Sequence, residues 1–330
     1  MSDQVIAITG GSAGVGRATA HAFAARGARV GLIARGAEGL EAARREVEAR
    51  GGEAFVIRAD VADAAAVERA ASAIEEALGP IDVWVNNAMA SVIGPVKEIP
   101  ADEFRRVTEV TYLGVVHGTL AALKRMLPRD RGVIIQVGST LAYRGIPLQA
   151  PYCAAKHAIQ GFNDSLRSEL LHDRSGVRLC MVNLPALNTP QFRWARNHMP
   201  RKLQPFGTVF EPEVAAEAIV WVAAHPRREV NVGWGTTQAI LANSFAPELL
   251  DRYLARNGYD EQLGDEPEDP GRPDNLMQPV PGDGGTHGVF TNRAKSHSPA
   301  FWSNTHRTWI AVALGAFALV GIFSMTRGRS

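Results

Sequence analysis

The chain has 330 residues, 46% of them hydrophobic and 21% charged, with a formal net charge of +1. That length accommodates one large α/β domain plus an extension, with ample apolar residues for a buried core. A charge this close to zero excludes a whole-chain bias toward nucleic acid, and no nucleic-acid partner is expected.

Taken in chain order, residues 4–9 read as a buried strand and 14–26 as a helix. Residues 29–34 and 37–50 repeat the pair. Strands at 54–59 and 81–86 flank an Ala/Glu helix, and a long helix is predicted over 103–126. A strand at 132–138, a helix at 151–173 and a strand at 177–183 follow. A helix at 212–224 and a short strand near 229–232 complete the alternation. Apolar strands alternating with amphipathic helices predict an α/β, doubly wound parallel sheet covered on both faces. No internal repeat occurs at solenoid periods. Cys153 and Cys180 have neither CxxC nor metal-ligand spacing and read as reduced packing residues. The first residues lack the basic, apolar and small-residue succession of a secretory signal. The leading domain is therefore expected in a reducing, cofactor-containing compartment.

Two motifs stand on this frame. Thr9-Gly10-Gly11-Ser12-Ala13-Gly14-Val15-Gly16 joins the first strand to the first helix. Gly10 allows a tight turn, and Gly14 and Gly16 let backbone and helix approach a pyrophosphate closely. The helix N-terminus offers free N–H groups and a positive dipole end to the anion. Alone, such a turn also serves as a packing device. The second motif is Tyr152-Cys153-Ala154-Ala155-Lys156, with Ser139 thirteen residues before the tyrosine. Alone, that Tyr/Lys spacing is an ordinary pair on a helix surface. In this order and at this separation, the two motifs point to a chain that binds a dinucleotide and moves a hydride.

With these motifs the chain resembles the short-chain dehydrogenase/reductase family from about Val5 to about Tyr259. The resemblance implies a Rossmann fold of about seven parallel strands in the order 3-2-1-4-5-6-7, acting on an alcohol/carbonyl pair as a small-molecule substrate. A free phenol has a pKa near ~10, too high for a base at neutral pH. The Lys156 ammonium lies one helical turn beyond Tyr152 and, with the nicotinamide's charge, favours phenolate. Tyr152 is then the general acid/base, Lys156 also holds the nicotinamide ribose, and Ser139 orients and polarises the carbonyl. Asp60-Val61 resembles the family's adenine-contact pair. Asn86-Asn87-Ala88-Met89 resembles its Asn-Asn-Ala-Gly run, with Met89 replacing glycine, and Thr189 matches a threonine that contacts the carboxamide. Two positions depart. Thr111, in Val110-Thr111-Tyr112-Leu113-Gly114, stands where the family often has asparagine, so a proton relay from Lys156 would rest on a side chain with fewer hydrogen bonds. Pro185-Ala186 replaces the usual Pro-Gly. The expected catalytic residues are thus Ser139, Tyr152, Lys156 and Thr111. Those for the cofactor are Gly10, Ser12, Gly14, Gly16, Arg35, Asp60, Val61, Asn87, Ala88, Thr189, Tyr152 and Lys156. Relatives are mostly dimers or tetramers, which implies a homo-oligomer.

Cofactor choice is read at the end of the second strand, where an NAD enzyme usually carries an acidic residue for the ribose 2′-hydroxyl. Ala34-Arg35-Gly36 has no carboxylate. Arg35 suits a 2′-phosphate, with Arg17 or Ser12 as helpers, so NADP(H) is the expected cofactor. Residues 191–210 form the expected substrate lid, with Phe192, Trp194, Met199, Phe206 and Phe210 among Arg193, Arg196, Arg201 and Lys202. An apolar pocket with a basic rim, a membrane-facing lid and ordinary loop packing all fit that composition. His157 and His198 have no ligand partners by spacing, so no metal is expected.

The domain is assigned to residues 1–259. Residues 260–307 are rich in Pro, Gly and Asp and read as a solvated linker. Some bacterial relatives carry a similar segment at Pro273 to Asp283, which leaves open that it packs back on the domain. Residues 308–325 are uncharged and almost wholly apolar. As a helix they span roughly 27 Å against a ~30 Å hydrocarbon core, with Trp309 at one border and arginines at both ends. A transmembrane anchor in a lipid bilayer is expected, with 326–330 as a short tail and the catalytic domain in the cytoplasm; a buried core helix is the other reading. The functional expectation is NADP-dependent interconversion of an apolar alcohol and carbonyl. A non-catalytic NADP(H)-binding scaffold or sensor at a membrane, or epimerisation or dehydration on the same fold, are the alternatives.

Overall fold

Seven apolar runs form one parallel sheet: β1 (Val5–Thr9), β2 (Arg29–Ala34), β3 (Glu53–Arg58), β4 (Ile81–Asn86), β5 (Gly132–Ser139), β6 (Val177–Leu184) and β7 (Glu229–Asn231). Their spatial order is β3-β2-β1-β4-β5-β6-β7, the order the resemblance implies. The computed structural model describes residues 3–307. The expected transmembrane helix at 308–325 and the tail at 326–330 lie outside the described residues. Among the described residues, no helix is long and apolar enough to cross a membrane.

Every residue of β1 is buried, because right-handed crossovers lay helices on both faces of a parallel sheet. Ile6 and Ile8 face a core shared with α1 (Gly14–Ala24), α2 (Ala37–Ala49) and α8 (Pro212–Ala224). Val5 and Ala7 face the opposite core, shared with α3 (Ala64–Leu78), α5 (Gly114–Met126) and α6 (Ala150–His172). The strand order reverses between β1 and β4, and the crevice outside the carboxyl ends of the strands at such a switch point is where ligands bind.

Three parts of the chain differ from the sequence expectation. The single helix predicted over 103–126 is α4 (Ala101–Thr108), a π-helical turn at Glu109–Leu113, and α5. The Thr111 hydroxyl donates to the Ala90 carbonyl at 2.9 Å and accepts from its N–H at 3.0 Å, tying the wide turn to the loop after β4. Gly114 follows, pressed so closely on Val61 that a Cβ would lie 2.6 Å from its Cγ2.

Two helices of more than ten residues were not expected at all: α9 (Trp234–Phe245) and α10 (Pro247–Asn257). Neither begins with a side-chain cap, and Phe245 is 85% exposed, so neither capping nor a clean apolar stripe announces them. The solvated-linker reading of 260–307 gives way to a segment pinned on the domain. Leu263–Pro267 pairs antiparallel with Arg201–Leu203, Leu276 is fully buried in the core, and α11 (Pro299–Thr305) packs on β7. The change at residue 259 is one of composition, with no break in packing.

Candidate active site

β5 ends at Ser139, whose side chain caps the following turn by accepting from the Leu141 N–H at 3.1 Å. α6 brings Tyr152 and Lys156 beside it, with Pro151 in its first turn, where the backbone N–H has no partner within the helix and its absence costs little. The Tyr152 phenol and the Ser139 hydroxyl face the same cavity, close enough for Ser139 to act on the phenol. Lys156 Nζ sits 5.5 Å from the Tyr152 ring centre and donates to the Val137 carbonyl at 2.7 Å. Burial pushes the Tyr152 phenol above its ordinary range, and the neighbouring Ser139 hydroxyl opposes that shift. Burial likewise pushes Lys156 down to about 8. The phenol is therefore protonated at neutral pH, next to a lysine poised to change charge not far above it.

These residues form the floor of a cavity of about 570 Å³. Of the lid residues, Phe192, Trp194, Phe206 and Phe210 line it, from α7 (Gln191–Trp194) and the loop beyond. Met199 packs instead against a small separate core with Ile93, Leu148 and Leu263. The basic rim is not free. Arg196 pairs with Glu103 and Asp274 at 2.6 Å each, Lys202 with Glu266 at 2.5 Å, and Arg201 with Asp260. His198 bonds Glu103 at 2.7 Å and His157 the Cys153 carbonyl at 2.8 Å. Trp234, Leu250, Tyr253 and Leu254 close the cavity from α9 and α10. Sequence reasoning missed them because no motif marks those helices. Cys153 and Cys180 are free and buried, and burial raises both thiols to about 11.

A second cavity of about 220 Å³ adjoins the first, sharing Asn87, Met89 and Thr189 in its wall. Its base is the glycine turn, with φ of +68° at Gly10 and +52° at Gly14, a backbone conformation that side-chain-bearing residues rarely adopt. Gly16 lies so close that a Cβ would collide with the Gly10 carbonyl and the Asn87 amide. Asn87 braces the turn by donating to the carbonyls of Thr9 and Gly10 at 3.0 and 3.2 Å, while the N–H groups of Asn87 and Ala88 donate to Thr9 Oγ1. Ser12, Arg35, Asp60, Val61 and Ala88 line the same cavity. Asp60 accepts from the Ala62 N–H at 3.0 Å and from Arg106.

Two expectations need correcting here, those for Arg17 and Thr111, and Arg35 is partly engaged. Arg17 cannot assist a phosphate: it is 1% exposed, with its guanidinium bonded to Glu46 at 2.8 Å and to Asp283. Arg35 does reach the cavity, but it donates to the carbonyls of Asn275, Leu276 and Met277. Of its five N–H donors, those three bonds leave Nε and one on Nη2. Thr111 is not joined to Lys156, since both of its hydroxyl bonds go to Ala90.

The short chain dehydrogenase family profile matches residues 4–199. The uncharacterized oxidoreductase YxnA of Bacillus subtilis (strain 168) is 30% identical over 331 residues, covering 100% of this chain and 92% of the Bacillus protein. A metagenomic short-chain oxidoreductase solved in complex with NADP superposes with a TM-score of 0.60 at 29% identity, over 70% of this chain and 97% of that one. An alcohol dehydrogenase from the archaeon Thermococcus sibiricus, complexed with 5-hydroxy-NADP, gives a TM-score of 0.59 at 28% identity, over 69% and 95%.

Proposed function

The chain belongs to the short-chain dehydrogenase family, and from that premise we propose that it is an NADP(H)-dependent oxidoreductase interconverting an apolar alcohol and its carbonyl, with Tyr152 as general acid/base. The convergence of Ser139, Tyr152 and Lys156 at the foot of an aromatic-walled cavity, continuous with the glycine-turn cleft, carries this reading. NADP(H) fits the residues of that cleft: two glycines at positive φ, backbone close to the helix N-terminus, and no carboxylate at residues 34–36. Two donors of Arg35 remain for a 2′-phosphate. Both solved relatives were captured with NADP or its 5-hydroxy form, which supports the choice.

When bound, the nicotinamide supplies hydride to the carbonyl carbon, or accepts it from the alcohol carbon. The remaining steps belong to side chains. The Ser139 hydroxyl donates to the carbonyl oxygen and holds it beside Tyr152. Tyr152 gives its proton to that oxygen in reduction and takes it back in oxidation. The Lys156 ammonium favours the phenolate left behind. Phe192, Phe206 and Phe210 keep water out, which strengthens every charge interaction inside. Thr111 would have to relay protons through a route other than a direct bond to Lys156.

The proposed location is a membrane, with residues 308–325 as a C-terminal anchor and the domain on the cytoplasmic side. The uncharged apolar run supports it. Cutting the chain after Arg307 is the clean test, since a cut nearer Ser303 would remove Asn304, which donates to the Asn231 carbonyl at 3.0 Å. On carbonate extraction, full-length protein should stay with the membranes and the shortened form should leave them. Full-length protein wholly in the soluble fraction would end the membrane proposal. The exposed Leu120 on α5, Leu127 just beyond it and Leu171 on α6 support a homo-oligomer, read by light scattering. A carbonyl and alcohol panel followed by nicotinamide absorbance tests the activity. A scaffold that senses NADP(H) without turnover would bind cofactor and consume none across the whole panel.

A further inference from the structure

Residues 273–285 cross the mouth of the glycine-turn cleft. We infer that they form a cofactor-retaining strap, a wall of the dinucleotide site supplied by the C-terminal extension and tied to the substrate lid, resting on the NADP(H) reading for the identity of the ligand.

The strap is anchored at both ends of the cleft. At the adenosine end, Arg35 donates to three successive carbonyls of 275–277, and Arg106 donates to the Leu276 carbonyl at 3.1 Å. Beside them the Leu276 side chain is wholly buried in the core that also holds Val5, Ala7 and the inner faces of α3 and α5. At the glycine-turn end, the Asp283 carboxylate bonds the buried Arg17, and the Gly14 N–H donates to the Gly285 carbonyl at 3.1 Å. Gly284 is so tightly held that a Cβ would run into the Trp194 ring. Pro279 and Pro281 fix the backbone between the anchors, lowering the entropy lost on closure.

The strap covers the cleft without filling it. The cavity of about 220 Å³ has Gly10, Ser12 and Arg35 on one side and Pro279, Val280 and Gly282 on the other. A plug would have left no such space. Several bonds then join the strap and its approach to α7 and the residues just beyond. Asn275 N–H donates to the Trp194 carbonyl at 2.9 Å, Arg272 to Ala195 at 2.8 Å, and Arg193 to Gly284 at 2.7 Å, while Arg196 pairs with Asp274. A nucleotide in the cleft is thus roofed by a segment that must lift for it to leave, and lifting that segment pulls on the substrate lid.

Release of NADPH from the full chain, followed by nicotinamide fluorescence after a chase, tests this with Asp283→Asn and Leu276→Ala. The first change is nearly isosteric, and thermal melts report whether either variant is misfolded. Release should speed up at least about tenfold, the lower end for losing a charge-assisted hydrogen bond, with association no slower than in the unaltered protein. Amide exchange across 275–285 should slow when NADPH is added. Unchanged release in both variants, or exchange there that is indifferent to saturating nucleotide, would overturn the strap. The cofactor reading fails separately: if the unaltered protein binds NADH as tightly as NADPH, that reading falls, and the strap stands provided release of NADH accelerates in the same variants.

Discussion

Ser139, Tyr152 and Lys156 stand on a strand and a helix buried in the middle of the molecule, whereas the lid and strap above them are irregular segments held by ion pairs and backbone carbonyls. The floor is set by packing. Ser139 is 9% exposed and Lys156 3%, and their positions follow from the sheet and the first two turns of α6. The cover is set by charge. Arg17, Arg35, Arg106, Arg193, Arg196 and Arg272 between them hold most of it in place. Rigid elements hold reacting groups to fractions of an ångström, and surface segments open at a lower free-energy cost. Changes to the floor should therefore alter chemistry, and changes to the cover should alter binding and release.

Lys156→Ala should have the largest effect, because it removes support for the phenolate and a contact for the nicotinamide ribose together. A fall in kcat of at least ~10²-fold, the lower range for a positioned acid/base system, should accompany a weaker NADPH Kd. Normal kcat with only a changed Kd would move the lysine out of the chemistry. Arg35→Asp should act on the cover. NADPH binding should weaken by about 1–3 kcal/mol, the scale for hydrogen bonds to charged groups, with far less change for NADH. Equal efficiency of NADH and NADPH in the unaltered enzyme would contradict this assignment.

Thr111→Val sharpens the division in a different way. The fully buried Thr111 loses both bonds to Ala90, so denaturant midpoints should report a loss of about 1–3 kcal/mol. Turnover of the folded fraction should stay within a few-fold. A large fall in kcat at full stability would put Thr111 back in the proton relay.

The smallest expected effect is on pH dependence. Burial favours the neutral amine of Lys156, so the folded lysine gives up its proton near pH 8 and the unfolded one near 10.5. Across that window the unfolded chain binds more protons, so this group's contribution to stability rises with pH. Binding moves the opposite way, because the ammonium is lost. NADPH affinity should decline as the pH climbs through about 8 in the unaltered enzyme and stay flat there in Lys156→Ala. Parallel profiles for the two proteins would show that Lys156 does not titrate in this range.

The floor was legible in the sequence and much of the cover was not. The sheet strands announce themselves through local apolar runs, and the glycine turn and the Tyr/Lys pair through short fixed spacings. Each of these needs only a few neighbouring residues. The strap depends on contacts across long separations, such as Arg35 with residues 275–277 and Arg17 with Asp283. Leu276 has only Met277 beside it in a stretch rich in Pro, Asp, Asn and Gln, so no periodicity reveals its burial. The π-helical turn at Glu109–Leu113 escapes for the same reason, since Ala90 is what holds Thr111. The helical pattern of α9 is blurred by apolar residues that remain exposed, Trp234, Leu241 and Phe245.

Proton transfer by Tyr152 is most directly tested by single-turnover reduction of an accepted carbonyl with saturating NADPH, comparing the unaltered enzyme with Tyr152→Phe. The variant should bind NADPH with nearly unchanged affinity and oxidise it at least ~10²-fold more slowly, the lower range for loss of a positioned acid. A Tyr152→Phe enzyme that transfers hydride at close to the unaltered rate would contradict the assignment.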